Sequence, residues 1–233
     1  RGIVDGWKLR LTKDTFSEEH IADAVTANTA IVGTLYAHFC QRLDPTTDHA
    51  QDTAALAALE RRIDEAIQRE VAGDRERTVL RAFLAFNKAV KRTNFFIQNK
   101  RCLSFKIDPA SVQGREYPNR PFGLYLFVGR EFVGFHVRFR DIARGGIRIV
   151  KSGSRAEYQH NLDTIFLENY NLADTQQRKN KDIPEGGAKG TLLLRLANQD
   201  EVHEAFVSYI DAMLDLLLPR KDVLDLEGRT DIL

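Results

Sequence analysis

The 233-residue chain is 43% hydrophobic and 29% charged, enough for one sizeable domain or two small ones. Its 34 basic and 33 acidic residues leave a net charge of +1, so bulk electrostatics give no case for nucleic acid or an anionic membrane as partner. Two cysteines, Cys40 and Cys102, provide neither a disulfide framework nor zinc spacing and fit buried thiols in a reducing compartment; no apolar run approaches the ~20 residues of a membrane span.

The first hundred residues read as helices. Ser17 is placed to cap a helix whose apolar stripe runs through Ile21, Val25, Val32, Leu35 and Phe39, with Asn28 on the same stripe and Phe16 stapled onto Ile21. After the turn-rich Asp44-Pro45-Thr46-Thr47-Asp48, a second series comprises Leu56, Leu59, Ile63, Ile67 and Val71. Gly73-Asp74 separates it from a third around Leu80, Phe83, Leu84 and Val90. These stripes predict a helical subdomain or platform over 1–98, each wide enough for an ordinary core face.

Strand patterns begin where the helical ones fade. Leu103, Phe105 and Ile107 alternate with polar residues until Pro109. Segments 124–128 and 131–140 flank Gly129-Arg130, which reads as a two-residue hairpin turn. In the second of these, Val133, Phe135, Val137 and Phe139 alternate with Gly134, His136, Arg138 and Arg140, predicting one core face and one basic face with Arg138 and Arg140 in solvent. A helix follows over 155–178 and a short strand over 190–196. Asn198-Gln199-Asp200-Glu201 then caps a helix with Val202, Phe206, Tyr209, Met213 and Leu217 on one stripe. The fold class is α/β: an N-terminal helical region over 1–98, then an incomplete α/β substrate-binding domain with a mixed sheet over 99–233.

Pro184-Glu185-Gly186-Gly187-Ala188-Lys189-Gly190 confines a lysine among residues that let backbone approach closely, where an ammonium could serve as a base or carbonyl polariser. The string is also compatible with a surface turn, and it lacks the Gly-Lys-Ser/Thr of a phosphate-binding loop. Ala143-Arg144-Gly145-Gly146-Ile147-Arg148 repeats the same chemistry upstream, and two glycine-flanked cations suggest one anion site. Between them, the stretch from Glu168 to Lys181 adds amides and cations to a helix end. A dicarboxylate would need such equipment: Arg as a bidentate fork, Lys as a mobile charge, and Gln as an uncharged donor.

At these residues the chain resembles the large-subunit NAD-dependent glutamate dehydrogenases. Arg92-Thr93-Asn94-Phe95-Phe96, Leu103-Ser104-Phe105-Lys106-Ile107-Asp108-Pro109, Phe135-His136-Val137-Arg138-Phe139-Arg140-Asp141 and the two glycine segments occur in that order in the family, over roughly 75–225. The resemblance implies oxidative deamination of L-glutamate to 2-oxoglutarate and ammonia with NAD. Lys189 would be the catalytic lysine that polarises the 2-oxo or imino carbon and helps water attack. Arg144 and Gly145 would hold a substrate carboxylate, with arginine standing where the small hexameric members carry lysine. Gln176 would contact substrate, and the second carboxylate-binding cation would be Lys179 or Lys181.

The same resemblance implies that the general acid/base aspartate and the NAD-binding domain lie outside this chain, since neither a Gly-Pro-Asp context nor a Gly-x-Gly-x-x-Gly after a strand occurs here. It also implies a homo-oligomer inside the cell, mitochondrial in a eukaryote and cytoplasmic in a bacterium. The histidines lack the spacing of a zinc site, so no metal is expected, and no Gly-x-Ser-x-Gly elbow occurs. The competing reading is a noncatalytic fragment or regulatory relative that binds dicarboxylates or partner subunits.

Overall fold

A computed structural model describes residues 16–47, 53–112, 117–179 and 182–228. The chain divides into two compact units, Arg1–Val90 and Lys91–Leu233. The division falls before 98 because Val90–Thr93 is already a strand, β1, of the second unit's sheet.

In the first unit, α1 (Glu18–Ala27) starts at Ser17, whose hydroxyl accepts from the His20 N–H at 3.2 Å, while Phe16 packs into a cluster with Ile21, Ala24 and Val79. The single helix expected through Asn28 is instead two. Asn28 leaves helical geometry (φ −122°) and its side-chain amide donates to the Ala24 carbonyl at 2.8 Å, a local bond that competes with the helical ladder. Beyond it run α2 (Thr29–Leu43), α3 (Thr53–Glu70) and α4 (Asp74–Ala89). Ile31, Leu35, Ile63, Ile67, Val71, Leu80 and Leu84 form their shared core. Beside that core His38 is fully buried, its Nε2 3.3 Å from the Glu60 carboxylate, which also pairs with Lys88 at 2.8 Å.

The second unit is a seven-stranded sheet of order β1-β2-β3-β4-β7, with β5 and β6 both alongside β7. Strands β2 (Cys102–Ile107), β3 (Gly123–Gly129), β4 (Phe132–Arg138) and β7 (Gly186–Leu194) pair antiparallel in sequence; β5 (Ala143–Arg144) and β6 (Ile147–Val150) run parallel to β7. Helix α5 (Arg155–Lys179) covers one face and α6 (Val202–Leu217) the other. The sheet is therefore mixed, and the unit is α/β.

Several local expectations change. Gly129 is not a turn residue: it pairs with Cys102 inside β3, and a Cβ there would lie 2.5 Å from the Phe132 ring, so glycine makes room for an aromatic ring. The β3–β4 connection is Arg130-Glu131, with the buried Glu131 paired to Arg101. Arg138 is not solvated. Because α6 closes the second face, it is 3% exposed and donates to the Asp141 carbonyl at 2.6 Å, while Arg140 stays exposed. The strand expected at 190–196 starts earlier, at Gly186. On α6, Phe206 is 40% exposed, the buried stripe being Ala205, Tyr209, Ala212, Met213 and Leu216. Asn198 does not cap α6 but donates to the Glu201 carboxylate at 3.0 Å.

Polar anchors fix α6 to the sheet. Asp215, 2% exposed, accepts from Asn94 at 3.0 Å and Arg220 at 3.1 Å and pairs with Lys100 at 2.8 Å; Ser104 donates to the Ala212 carbonyl at 2.9 Å. Three donors on one buried carboxylate satisfy it fully. Burial also pushes the Cys102 thiol well above its ordinary range, as an inert core thiol requires.

On the other face, α5 approaches β7 most closely at Gly187. A Cβ there would lie 2.1 Å from the Gln177 nitrogen and 2.4 Å from the Ala173 carbonyl oxygen, both backbone atoms of the helix. Gly187→Ala must push the helix off the strand, and we expect a loss of about 3 kcal/mol or more in denaturant unfolding.

In the helical unit, burial lowers the His38 pKa, and the Glu60 hydrogen bond and charge oppose this without overcoming it. A folded value below the unfolded one means that the contribution of neutral His38 is complete above about pH 6.5 and is lost as pH falls through the folded value. Helical stability followed by circular dichroism should decline on that acid side, and His38→Gln should flatten this part of the profile.

Candidate active site

The site is built on β7. Ala143 and Arg144 lie beside Gly186 and Gly187, and Ile147 lies beside Gly190 in the same parallel sense. Gly145-Gly146, between them, consequently run alongside Ala188-Lys189, with the Gly190 N–H donating to the Gly146 carbonyl at 3.1 Å. A Cβ at Gly145 would fall 1.6 Å from the Ala188 carbonyl oxygen, so no other residue fits there without parting the strands. A Cβ at Gly146 would lie 3.4 Å from Lys189 Nζ. The lysine ammonium thus rests over a glycine, on the side of the strand that α5 covers.

Lys189 does not precede the strand, as the expected span 190–196 would have it. It lies within β7, opposite Val137 of β4, and is half-buried. The glycines around it remove side chains where neighbours press in. At Gly186 the intruder would be the Arg140 side chain at 2.6 Å, and at Gly190 the Tyr209 hydroxyl at 3.0 Å. Burial pushes the Tyr209 phenol well above its ordinary range, and its hydroxyl lies 2.7 Å from His136 Nδ1 in a hydrogen bond.

Arg144 is brought beside this lysine but reaches outward: its side chain is 59% exposed and its Nε lies 3.5 Å from the Glu185 carboxylate. Arg148, farther along the same edge, is paired with Glu168 of α5. Each of these arginines thus faces a carboxylate on the rim, and Lys189 stands between their positions along the strand pair.

Helix α5 supplies amides beside the charge of Glu168. Gln177 Oε1 accepts from the Gly187 N–H at 2.6 Å, and Gln176, the residue expected to contact substrate, is half-buried next to it. Asn169, fully buried, donates to the Lys189 carbonyl at 2.9 Å and to Thr191 Oγ1 at 2.8 Å. Neither contact was anticipated, although Asn169, Ala173 and Gln177 follow the four-residue spacing of one helix face. Lys179 is the exposed last residue of α5, and Lys181 lies outside the described residues.

The described residues offer no dinucleotide cradle: β2, β3, β4 and β7 run antiparallel, and no Gly-x-Gly-x-x-Gly links a parallel strand to a helix N-terminus. Among the described residues no cluster of three His, Cys, Asp or Glu side chains could hold a metal ion, and no helix is long and apolar enough to cross a membrane.

Residues 62–226 match the family described as bacterial NAD-glutamate dehydrogenase, catalytic domain. The chain is 42% identical over 227 residues to "Glutamate dehydrogenase 2" of Dictyostelium discoideum, covering 97% of this chain and 22% of that protein. It is 43% identical over 243 residues to the "NAD-specific glutamate dehydrogenase" of Neurospora crassa (99% and 23%) and 39% identical over 230 residues to that of Saccharomyces cerevisiae (93% and 21%). It therefore spans about a fifth of the length of these relatives. On the family match and on identity sustained across nearly its whole length, the chain belongs to the NAD-glutamate dehydrogenase catalytic-domain family.

Proposed function

We propose that this chain is the substrate-binding segment of an NAD-dependent glutamate dehydrogenase, acting on L-glutamate, 2-oxoglutarate and ammonia. The observation that carries the reading is the placement of the Lys189 ammonium over Gly146, two strand positions from Arg144. A dicarboxylate laid along this edge meets a fork at Arg144 and a mobile cation at Lys189, with bare backbone at Gly145 and Gly146 between them. The second carboxylate falls to Lys179 or Lys181, with Gln176 as an uncharged donor.

No step is assigned to NAD on these residues, because they do not fit it; its binding belongs to a domain outside this chain. The chemistry assigned here is hydrolysis of the 2-iminium acid, protonated on its imino nitrogen. Lys189 accepts a proton from water as the water oxygen bonds to C2, and the resulting carbinolamine carries the former imino nitrogen as an amine. Return of that proton to nitrogen makes ammonia the leaving group; as the C2–N bond breaks, the carbinolamine hydroxyl gives its proton to the again neutral Lys189 and the C2–O bond becomes the carbonyl of 2-oxoglutarate. The ammonium form of Lys189 meanwhile stabilises the negative charge that develops on oxygen. The family resemblance extends the proposal to a homo-oligomer located in mitochondria in a eukaryote and in the cytoplasm in a bacterium.

Two substitutions in the complete gene product test the assignment. Lys189→Ala should lower kcat by about 10²-fold or more with the fold intact, as loss of an acid/base group does. Near-wild-type turnover would sink the catalytic role. Arg144→Ala should chiefly raise the KM for glutamate, because it removes an interaction made in ground and transition states alike. An unchanged KM would show that the carboxylate grip lies elsewhere.

A further inference from the structure

We propose that Asn169 is a positioning residue for Lys189, setting the reach of its ammonium from the helix that covers the same face of the strand; this rests on the catalytic role proposed for Lys189. Asn169 is fully buried in the middle of α5. Its Nδ2 donates to the Lys189 carbonyl at 2.9 Å and to Thr191 Oγ1 at 2.8 Å, with the Phe135 carbonyl at 3.4 Å. Phe135 and Thr191 are partners across β4 and β7, so one side-chain amide ties the helix to both strands at the residue that carries the lysine.

The amide orientation follows from its acceptors. Turning it over would set Oδ1 against two carbonyl oxygens, so Nδ2 faces the strands. Oδ1 is consequently left buried without a protein partner among the described residues. An apolar side chain of similar shape would fill the same space without a stranded acceptor, so packing does not explain an amide here. Its donor does. Lys189 and Thr191 project from the same face of β7, and the amide that holds the Lys189 carbonyl and the Thr191 hydroxyl occupies the space on the Thr191 side of the lysine. The bare surface of Gly146 is where the ammonium lies.

A double-substitution cycle in the complete gene product separates positioning from simple structural support. In folded enzyme, Asn169→Ala should lower kcat about 10- to 100-fold while leaving the KM for glutamate nearly unchanged. In the Lys189→Ala background the same change should cost nothing further, because there is no ammonium left to misplace. A loss that persists undiminished in that background, or no loss in the wild-type background, overturns the proposal. If Asn169→Ala does not fold, Thr191→Val is carried through the same cycle and judged by the same two criteria.

A second readout is independent of turnover: competitive acetylation of Lys189 across pH, quantified by mass spectrometry against Lys151 and Lys221 as internal references. Asn169→Ala or Thr191→Val should alter the Lys189 profile alone, and an unchanged profile overturns the proposal. Full turnover in Lys189→Ala would instead defeat the catalytic reading, with the acetylation profile still deciding whether Asn169 positions the lysine.

Discussion

The close approach of α5 to β7 at Gly187 is the constraint on which the rest of the site depends. Helix backbone occupies the space that any Cβ at Gly187 would need, and the Gly187 N–H is met by Gln177 rather than by a strand. With the helix this close, Asn169 reaches the Lys189 carbonyl and Glu168 reaches Arg148. A larger residue at 187 would lift α5 and slacken both contacts, moving the lysine without touching it. The glycine pattern is therefore a set of clearances: helix backbone at 187, a partner strand at 145, an ammonium at 146 and a phenol at 190.

Those clearances hold only because the sheet is covered on both faces. The α6 side is clamped by Asp215, which gathers Asn94, Lys100 and Arg220, and its apolar layer includes Tyr125, Phe127, Phe132, Leu192 and Leu194. Lys106 is fully buried on this side, 2.6 Å from the Glu227 carboxylate and over the Tyr125 ring. A buried ion pair of this kind adds little net stability, yet removal of either partner strands the other charge. It thereby fixes the segment around Glu227 against β2. The result is a rigid platform behind Gly190 and a chemically equipped face in front of it.

Much of this was legible from sequence, and the misreadings have physical causes. Period-3.6 stripes found α3 and α4, and alternation found β2 and β4, because each buries a continuous face. The break at Asn28 was hidden because its cause is a side-chain hydrogen bond to Ala24, which an apolar stripe does not register. Gly129 and the run from Gly186 to Gly190 suggested turns because glycine is flexible, whereas here glycine is small: the space is taken by Phe132, Arg140, α5 and Tyr209. Arg138 looked solvated because alternation cannot show that a second helix covers the polar face. Lys189 and Arg144 could be singled out from their glycine neighbours. Asn169 could not, since its partners are a backbone carbonyl and a hydroxyl from another element.

The charges of the site are arranged for exchange rather than for storage. Arg144 and Glu185 are both substantially exposed and 3.5 Å apart, a geometry in which solvent screening leaves little net attraction. An incoming carboxylate can replace Glu185 at small cost, and with equally small gain while water has access. Binding by this face alone is accordingly weak. Tight and oriented binding requires a second surface that excludes water, since the same Coulomb attraction strengthens several-fold as the effective dielectric falls. Lys189 differs from the rim arginines in this respect: it is half-buried and backed by a strand whose carbonyl is tied to Asn169. If both residues act as proposed, the position of Lys189 is set before any ligand arrives, whereas the grip of Arg144 is set only when water leaves. Under the proposed function this difference would make Lys189 a fixed reacting group beside an exchangeable anchor, which suits chemistry in which substrate must enter and product must depart through the same face.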